Sequence, residues 1–247
     1  MHESGRILEV MDKKELIEIK KGQTGTGLLI ENDGYISLDL AGNKKLFEDI
    51  NSVRKEGDFY CPHPLIFNAV LQRYGAENAN GRIYPEAILK REVERYQEKI
   101  RERRAIAELN HPSESTIDLS RVAINIVETW WQGNTLCGKV EIITSPGFRK
   151  YGIISCEGDQ TANLLLEGIK IGLSSRGLGS VTSKMGVLMV EDDYELVGFD
   201  VVSDPSTHNA WFVKEDDIPQ QYLESKNDKG KGKLMENLKK FDEWLKN

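Results

Sequence analysis

Two apolar segments in the middle of the chain, separated only by a short polar turn, give the clearest indication of its fold. VAINIVETWW and TLCGKVEIIT flank the turn QGN. Segments rich in β-branched and aromatic residues, joined by a short turn that contains glycine, predict an antiparallel β-hairpin. Similar segments, LIFNAVLQRY before it and GVLMVED and YELVGFDVVSD after it, predict further strands, the last two as a hairpin over Asp192-Asp193. We therefore expect a β-rich α+β core.

Two segments predict helices beside these strands. PEAILKREVERYQEKIRERR places Leu89, Val93 and Tyr96 on one stripe at helical spacing, while the rest of its surface is charged. Pro85, its first residue, suits the first turn of a helix. GDQTANLLLEGIK predicts a second, shorter helix, with Asp159 as a candidate N-cap.

Changes in composition divide the chain into three parts. Residues 1–58 mix charged stretches with short apolar pieces and keep no single period, which predicts a loosely packed leader. Residues 59–215 contain the predicted strands and helices and form the expected domain. Residues 216–247 begin with a polar linker around KNDKGKGK and end in LMENLKKFDEWLKN, an amphipathic C-terminal helix by its spacing.

Composition also limits the classes of function. No apolar run approaches the roughly 20 residues that span a bilayer, so no membrane partner is expected. The net charge of −7 and the lack of a long basic patch argue against nucleic acid as a partner. The three cysteines lack CxxC spacing and the four histidines form no ligand-spaced cluster, so we expect neither a metal nor a cofactor.

The segment IGLSSRGLGS carries a candidate nucleophile. If it is a strand, Ser174 and Arg176 share one face and Ser175 points to the other. Gly177 and Gly179 would give a turn whose backbone N–H groups bind an oxyanion, and Arg176 adds a fixed positive charge. The alternative for Arg176 is a structural salt bridge, and the alternative for the whole segment is a flexible loop.

A candidate general base lies in AELNHP. His111 ends a predicted strand and is followed directly by Pro112. A hydroxyl nucleophile needs a base within hydrogen-bond reach, and imidazole titrates near neutral pH. A satisfied structural histidine is the alternative, and neither this motif nor the serine segment is specific when taken separately.

Together with other motifs, these segments resemble a known family. NANGRIYPEAIL, AELNHP, TWWQGN, GLSSRGLGS and FDVVSDPSTHNAW follow in an order that is similar to the prohead core protein proteases of T4-like tailed phages. The resemblance covers roughly residues 66–213. It implies a fold related to the herpesvirus assemblin proteases, a β-barrel of mainly antiparallel strands surrounded by helices.

The same resemblance implies roles for individual residues. The histidine of the NHP motif, His111, would be the general base, and the first serine of GxSSRG, Ser174, the nucleophile. Ser175 would be structural or a hydrogen-bonding neighbour. Arg176 would bind the oxyanion or a substrate carboxylate, with backbone N–H groups near Gly177 as further donors.

The third catalytic residue is open. Assemblins use a second histidine on the strand after the nucleophile strand, where YELVGFDVV offers Asp200 and no histidine. An aspartate there would orient the imidazole, as in other triads; its alternative is a buried structural role. Glu108, Asp118 and His208 are rivals, although Asp118 in STIDLSRV is typical of a turn or cap.

The function implied is a serine endopeptidase of the immature phage capsid, the prohead, in the host cytoplasm. It would cleave scaffold, core and capsid proteins after Glu in motifs with an upstream Leu or Ile, and it could self-associate. Such motifs in the leader and tail predict a zymogen that trims its own ends. They are Ile7-Leu8-Glu9, Leu16-Ile17-Glu18, Leu29-Ile30-Glu31, Leu46-Phe47-Glu48 and Leu234-Met235-Glu236.

Two alternatives accompany this hypothesis. The first is a non-catalytic scaffold or capsid-assembly protein on the same fold, for which the tail helix with Phe241 and Trp244 would be a docking element. The second is another hydrolase, such as an esterase, with the same dyad. The presence of both His111 and Ser174, neither with an evident structural need, favours the protease.

Overall fold

A single mixed β-sheet dominates the computed structural model of the protein, which describes residues 17–36, 40, 42–55, 59–112 and 114–203. Four α-helices lie in this part of the chain: α1 (Asn43–Lys55), α2 (Glu86–Arg101), α3 (Pro146–Tyr151) and α4 (Glu157–Leu166). The nine strands of the sheet are β1 (Gly25–Ile36), β2 (Leu65–Arg73), β3 (Arg82–Ile83), β4 (Ile106–Glu108), β5 (Val122–Gln132), β6 (Thr135–Ile142), β7 (Ile171–Lys184), β8 (Val187–Val190) and β9 (Glu195–Val202).

The strand order makes the sheet curl. It runs β3-β8-β7-β1-β2-β6-β5-β4, and β9 pairs with β7 beside this path. An isolated bridge joins Leu109, directly after β4, to Val201 on β9, and the Asn110 N–H donates to the Val201 carbonyl at 2.8 Å. The result is a curled half-barrel with few helices, which confirms the β-rich α+β class. The expected assemblin-like barrel surrounded by helices stays a prediction.

The central hairpin forms as the sequence predicts. β5 and β6 pair antiparallel from Ile124 opposite Ile142 to Gln132 opposite Thr135, and Gly133 adopts a left-handed turn conformation with φ 58°. Both strands bury apolar side chains in the core, namely Ala123, Ile124, Ile126, Leu136, Val140 and Ile142. The local pattern was sufficient because both strands and their turn are contiguous in the chain.

The long helix is also confirmed. α2 begins directly after Pro85, whose φ of −59° already fits a helix, and its buried stripe includes Leu89, Val93 and Tyr96. The Asp159 prediction is wrong, since Cys156 is the N-cap of α4 and Asp159 lies inside the first turn. Its carboxylate instead accepts the backbone N–H of Ser145 at 2.7 Å, which ties α4 to the start of α3.

The predicted hairpin over Asp192-Asp193 does not form. β8 pairs with the end of β7, at 181–184, and β9 pairs with its beginning, at 172–178. β7 is 14 residues long, so one of its edges has room for two short strands placed end to end. β8 and β9 therefore lie end to end along one edge of β7, and each pairs with β7.

The expected leader contains a central strand. β1 lies between β7 and β2 in the sheet, and Leu28 and Leu29 are buried there. Its sequence hides this position, because the ladder with β7 shifts register between Glu31 and Gly34, which interrupts the alternation. The sheet therefore begins before the expected boundary at residue 59. The tail from residue 204 onward, with its predicted linker and helix, lies outside the described residues.

Within the described part of the chain, no α-helix combines the length and the apolar character needed to cross a bilayer.

Candidate active site

The nucleophile candidate lies on the longest strand of the sheet. IGLSSRGLGS belongs to β7 throughout, so the segment is neither a loop nor a turn. Ser174 faces Asp200 across the β7–β9 ladder, and directly opposite residues place their side chains on the same face. The Ser174 hydroxyl and His111 Nε2 form a hydrogen bond. The strand alternation thus brings Ser174, and not Ser175, to the imidazole.

The base candidate is positioned by the end of β4. Asn110, directly before His111, has a left-handed φ of 68°, a conformation that asparagine tolerates better than most residues. The bridge from Leu109 to Val201 fixes this turn beside β9. His111 consequently reaches back over the sheet, with 18% of its side chain exposed, while Ser174 is fully buried beneath it.

Asp200 completes the arrangement. Its Oδ2 atom lies 3.1 Å from His111 Nδ1, on the side of the ring opposite the Ser174 contact. The carboxylate is fully buried, and its Oδ1 atom accepts the backbone N–H of Glu108 at 3.1 Å. The structure therefore brings three candidate residues together in the order hydroxyl, imidazole and carboxylate.

The rivals for the third position lie elsewhere. Asp118 is the N-cap of a short 3₁₀ turn, where hydrogen bonds from the Ser120 hydroxyl and N–H lower its pKa. Glu108 is buried behind Asp200, and its Oε1 atom accepts the Asp118 N–H at 3.0 Å. His208 lies outside the described residues. The geometry favours Asp200 over both carboxylates.

Arg176 stands on the face of Ser174 but is fully buried. Its Nε lies 2.9 Å from Asp200 Oδ2, and its Nη2 donates to Asp200 Oδ1 at 3.1 Å and to Glu108 Oε1 at 3.3 Å. Nη1 donates to the carbonyl of Glu114 at 2.6 Å. These contacts correspond to the salt-bridge alternative. A role in binding the oxyanion or a substrate carboxylate stays a prediction that none of them supports.

The glycines of the segment have a packing role. Gly177 is paired with Leu29 on one side and Leu196 on the other, and a Cβ there would come within 2.3 Å of the Tyr194 ring. The predicted turn at Gly177 and Gly179 is therefore wrong, and the proposed oxyanion role of Gly177 stays a prediction. Ser175 is buried on the opposite face, where it lies opposite Glu31 in the β1–β7 ladder.

Sequence reasoning missed the ion pair between Glu108 and Arg176. These residues are 68 positions apart, and Glu108 was considered only as a rival for contact with the imidazole. The one available signal was its place in the NHP segment, where a glutamate stands at the end of an apolar strand. Carboxylates are almost never fully buried unless paired, so that position called for a partner.

The arrangement has a definite chemical capacity. A hydroxyl bonded to an imidazole, which in turn faces a buried carboxylate, is the constellation with which serine hydrolases carry out acyl transfer. Among the residues that the structure describes, no group of three or more His, Cys, Asp or Glu side chains has the geometry of a metal site.

Comparison with known proteins identifies the family. Residues 28–223 match the family described as "Prohead core protein serine protease", and the chain belongs to it. It is 33% identical over 164 residues to the prohead core protein protease of Enterobacteria phage T4, an alignment that covers 65% of this chain and 74% of that protein.

A solved structure agrees with this assignment. The structure of the bacteriophage T4 capsid assembly protease is similar to this one, with a TM-score of 0.56 and 27% sequence identity, over 73% of this chain and 99% of that chain. The family resemblance expected from the motifs is therefore confirmed, and the matched region begins inside β1 rather than at the expected boundary.

Proposed function

We propose that this protein is a serine endopeptidase of the phage prohead that cleaves scaffold, core and capsid proteins during head maturation. The observation that carries the proposal is the contact of one histidine with both a serine and a buried aspartate, His111 with Ser174 and Asp200. It occurs in a chain whose relatives are named as prohead and capsid assembly proteases.

The reaction follows from these contacts. Ser174 Oγ attacks the scissile carbonyl carbon while His111 Nε2 accepts the hydroxyl proton, and the same nitrogen then donates that proton to the leaving amine. A water molecule next attacks the acyl-serine, giving its proton to the imidazole, and the carboxylic acid product leaves as Ser174 is restored. Asp200, buried against Nδ1, holds the ring orientation and stabilises the imidazolium that forms in both steps.

Specificity and location follow from the family resemblance. We propose cleavage after Glu, in sequences with an upstream Leu or Ile, within the immature capsid in the host cytoplasm. Self-association is a further expectation of the same kind.

Self-processing can be restricted by the fold. The motif at 29–31 lies in β1 with Glu31 fully buried, and the motif at 46–48 lies within α1. A protease needs an accessible, locally unfolded segment, so both motifs should resist cleavage in the folded chain. The motif at 16–18 is held as well, because the Ile17 carbonyl accepts the Leu28 N–H and the Ile19 N–H donates to the Leu28 carbonyl, each at 3.0 Å. We propose that trimming uses the outer motifs at 7–9 and 234–236.

The test uses the full-length chain beside Ser174→Ala, with Ser175→Ala as the matched control, since that hydroxyl is equally buried on the opposite face. Intact mass is followed over hours, with casein as an added unfolded substrate. A fluorophosphonate probe, from which the attacking serine displaces fluoride to form a phosphorus–oxygen bond, reports the nucleophile directly. We expect cutting and labelling in the parent and in Ser175→Ala, and neither in Ser174→Ala.

Two outcomes would contradict the proposal. Equal cutting or labelling by Ser174→Ala would remove the assigned nucleophile. A folded parent that neither labels nor cuts, itself included, would favour a non-catalytic assembly protein.

A further inference from the structure

We propose that Glu108 is a positioning residue for catalysis, which acts on His111 through Arg176 and Asp200 without touching the imidazole. The inference rests on the proposed hydrolase function. It concerns the buried cluster of Asp200, Arg176 and Glu108, called here the cluster around Glu108.

Arg176 lies between two buried carboxylates. It contacts both oxygens of Asp200, through Nε at 2.9 Å and Nη2 at 3.1 Å, and Nη2 also reaches Glu108 at 3.3 Å. The Nη2 contacts are hydrogen bonds, so Nη2 links the two carboxylates, while Nε is an ion-pair neighbour of Oδ2 on the oxygen that faces the ring. Glu108 in turn holds the guanidinium and gives its own backbone N–H to Asp200 Oδ1.

The charges of the cluster do not cancel. Asp200 alone would present one negative charge to the imidazolium formed during attack, but Arg176 beside it neutralises that charge. Glu108 restores a net charge of about −1, because it adds a second carboxylate to the same guanidinium. All three side chains are fully buried, so solvent screens these interactions little. Glu108 therefore keeps the cluster attractive to a protonated His111.

The surrounding groups make this compensation more important. Arg121 Nε lies 3.6 Å from Glu108 Oε2. Lys99 on α2 lies near Arg176: burial first, and then the charges of Arg104 and Arg176, lower the pKa of Lys99. Both add positive charge beside the cluster. Tyr96, also on α2, adds none, because burial and then the Asp200 carboxylate raise its pKa. With Arg121 and Lys99 included, three cations face the carboxylates of Asp200 and Glu108, and without Glu108 they would face Asp200 alone.

The chain offers a matched control. Glu31 is another fully buried glutamate with an arginine partner, Arg82, and it faces Ser175 in the β1–β7 ladder. It therefore lies on the face of β7 opposite Ser174. Glu31→Gln makes the same chemical change at the same burial, away from His111.

The experiment measures the rate of fluorophosphonate labelling against pH in the full-length chain, in Glu108→Gln and in Glu31→Gln. With Glu108→Gln we expect about a 10- to 100-fold slower reaction at neutral pH. The midpoint of the acid limb should move to lower pH by roughly one unit, because a less negative cluster stabilises the imidazolium less. With Glu31→Gln we expect a lower unfolding temperature and an unchanged midpoint.

A double variant that removes one charge of each sign distinguishes an electrostatic effect from a packing effect. It also provides a test if Glu108→Gln alone folds poorly. Glu108→Gln with Arg176→Met removes one negative and one positive charge, so the midpoint should return toward that of the parent although the rate stays low. An unmoved midpoint in folded Glu108→Gln, an equal shift in Glu31→Gln, or no return in the double variant would overturn the inference. A parent that is not labelled at Ser174 would instead defeat the proposed function.

Discussion

Two buried glutamate–arginine clusters lie on opposite faces of β7, and they differ in the groups to which their contacts lead. On one face Glu31 meets Arg82, and on the other Glu108 meets Arg176. All four side chains are at most 1% exposed. Burial and charge are therefore equal in the two glutamate–arginine pairs, and the pairs differ in their further contacts, since Arg176 also meets Asp200.

The cluster around Glu31 is closed. Its Oε1 atom accepts from Arg82 and from the Tyr84 hydroxyl, and its Oε2 atom accepts from Asn78 and Asn80, each at 2.7 Å. Asn80, Arg82 and Tyr84 belong to the NGRIYP motif, which thus clamps the loop before α2 onto β1. Every lone pair of the carboxylate is used within the protein, as expected of a structural site.

The cluster around Glu108 is open. Its chain of contacts runs from Glu108 through Arg176 and Asp200 to His111, whose ring reaches solvent. Within the described residues Glu108 Oε2 accepts no hydrogen bond, and Arg121 is an ion-pair neighbour at 3.6 Å. The same pair of side chains thus closes on itself at Glu31, whereas at Glu108 its contacts lead to the partly exposed imidazole of His111.

The largest effect is expected from a substitution at the centre of the open cluster. Asp200→Asn keeps the shape but removes the carboxylate that faces Nδ1, so activity should fall by about 10⁴-fold, as for other triad aspartates. Labelling by the fluorophosphonate probe and cleavage of casein measure the loss. Asp159→Asn, a change at another fully buried aspartate that ties α4 to α3, is the control and should retain activity. A loss below tenfold in folded Asp200→Asn would contradict the triad.

The second largest effect is expected on stability, from a substitution in the closed cluster around Glu31. Arg82→Met leaves Glu31 without its cation, and an unpaired buried charge should lower the free energy of unfolding by about 3–5 kcal/mol. Denaturant titration measures this, while activity per folded molecule should stay near that of the parent. Glu31→Gln with Arg82→Met should regain part of the stability. A large drop in activity per folded molecule would show that this cluster also serves the site.

The smallest effect concerns the turn that positions His111. Asn110 is left-handed, so Asn110→Ala should cost about 1 kcal/mol in the free energy of unfolding, whereas Asn110→Gly should cost little. Thermal unfolding of the two variants checks the sign of the difference. A more stable alanine variant than glycine variant would mean that the side chain, and not the backbone conformation, decides at this position.

Contiguity decided how much of this architecture the sequence could predict. The β5–β6 hairpin and α2 are local patterns, and both were predicted correctly. β1 was missed because a register shift interrupts its alternation and its main partner, β7, is distant in the chain. The placement of β8 and β9 depends on the length of β7, which no local signal gives.

The site divides in the same way. The motifs around Ser174 and His111 are not specific when taken separately, and strand alternation shows only that Ser174 shares a face with Arg176. The assignment of Ser174 as nucleophile and His111 as base came from the family resemblance. The support behind them was not predictable, since Glu108 and Arg176 meet only after the sheet has curled β4 against β9. The roles of Arg176 and Gly177 were expected from the residue types beside the serines and from the family resemblance. Arg176 contacts Asp200 instead, and Gly177 packs against the Tyr194 ring.

The adjacent serines of β7 make strand register a condition of the contact between Ser174 and His111. A slip of one residue would turn Ser175 toward His111, so a hydroxyl would still meet the imidazole. The same slip would carry Arg176 to the face of Glu31, leaving the buried Asp200 without its cation and Glu108 with Arg121 at 3.6 Å. The arginine after the serine pair is thus what makes the slipped pairing costly, and folding fidelity at this strand depends on a charge rather than on the nucleophile itself.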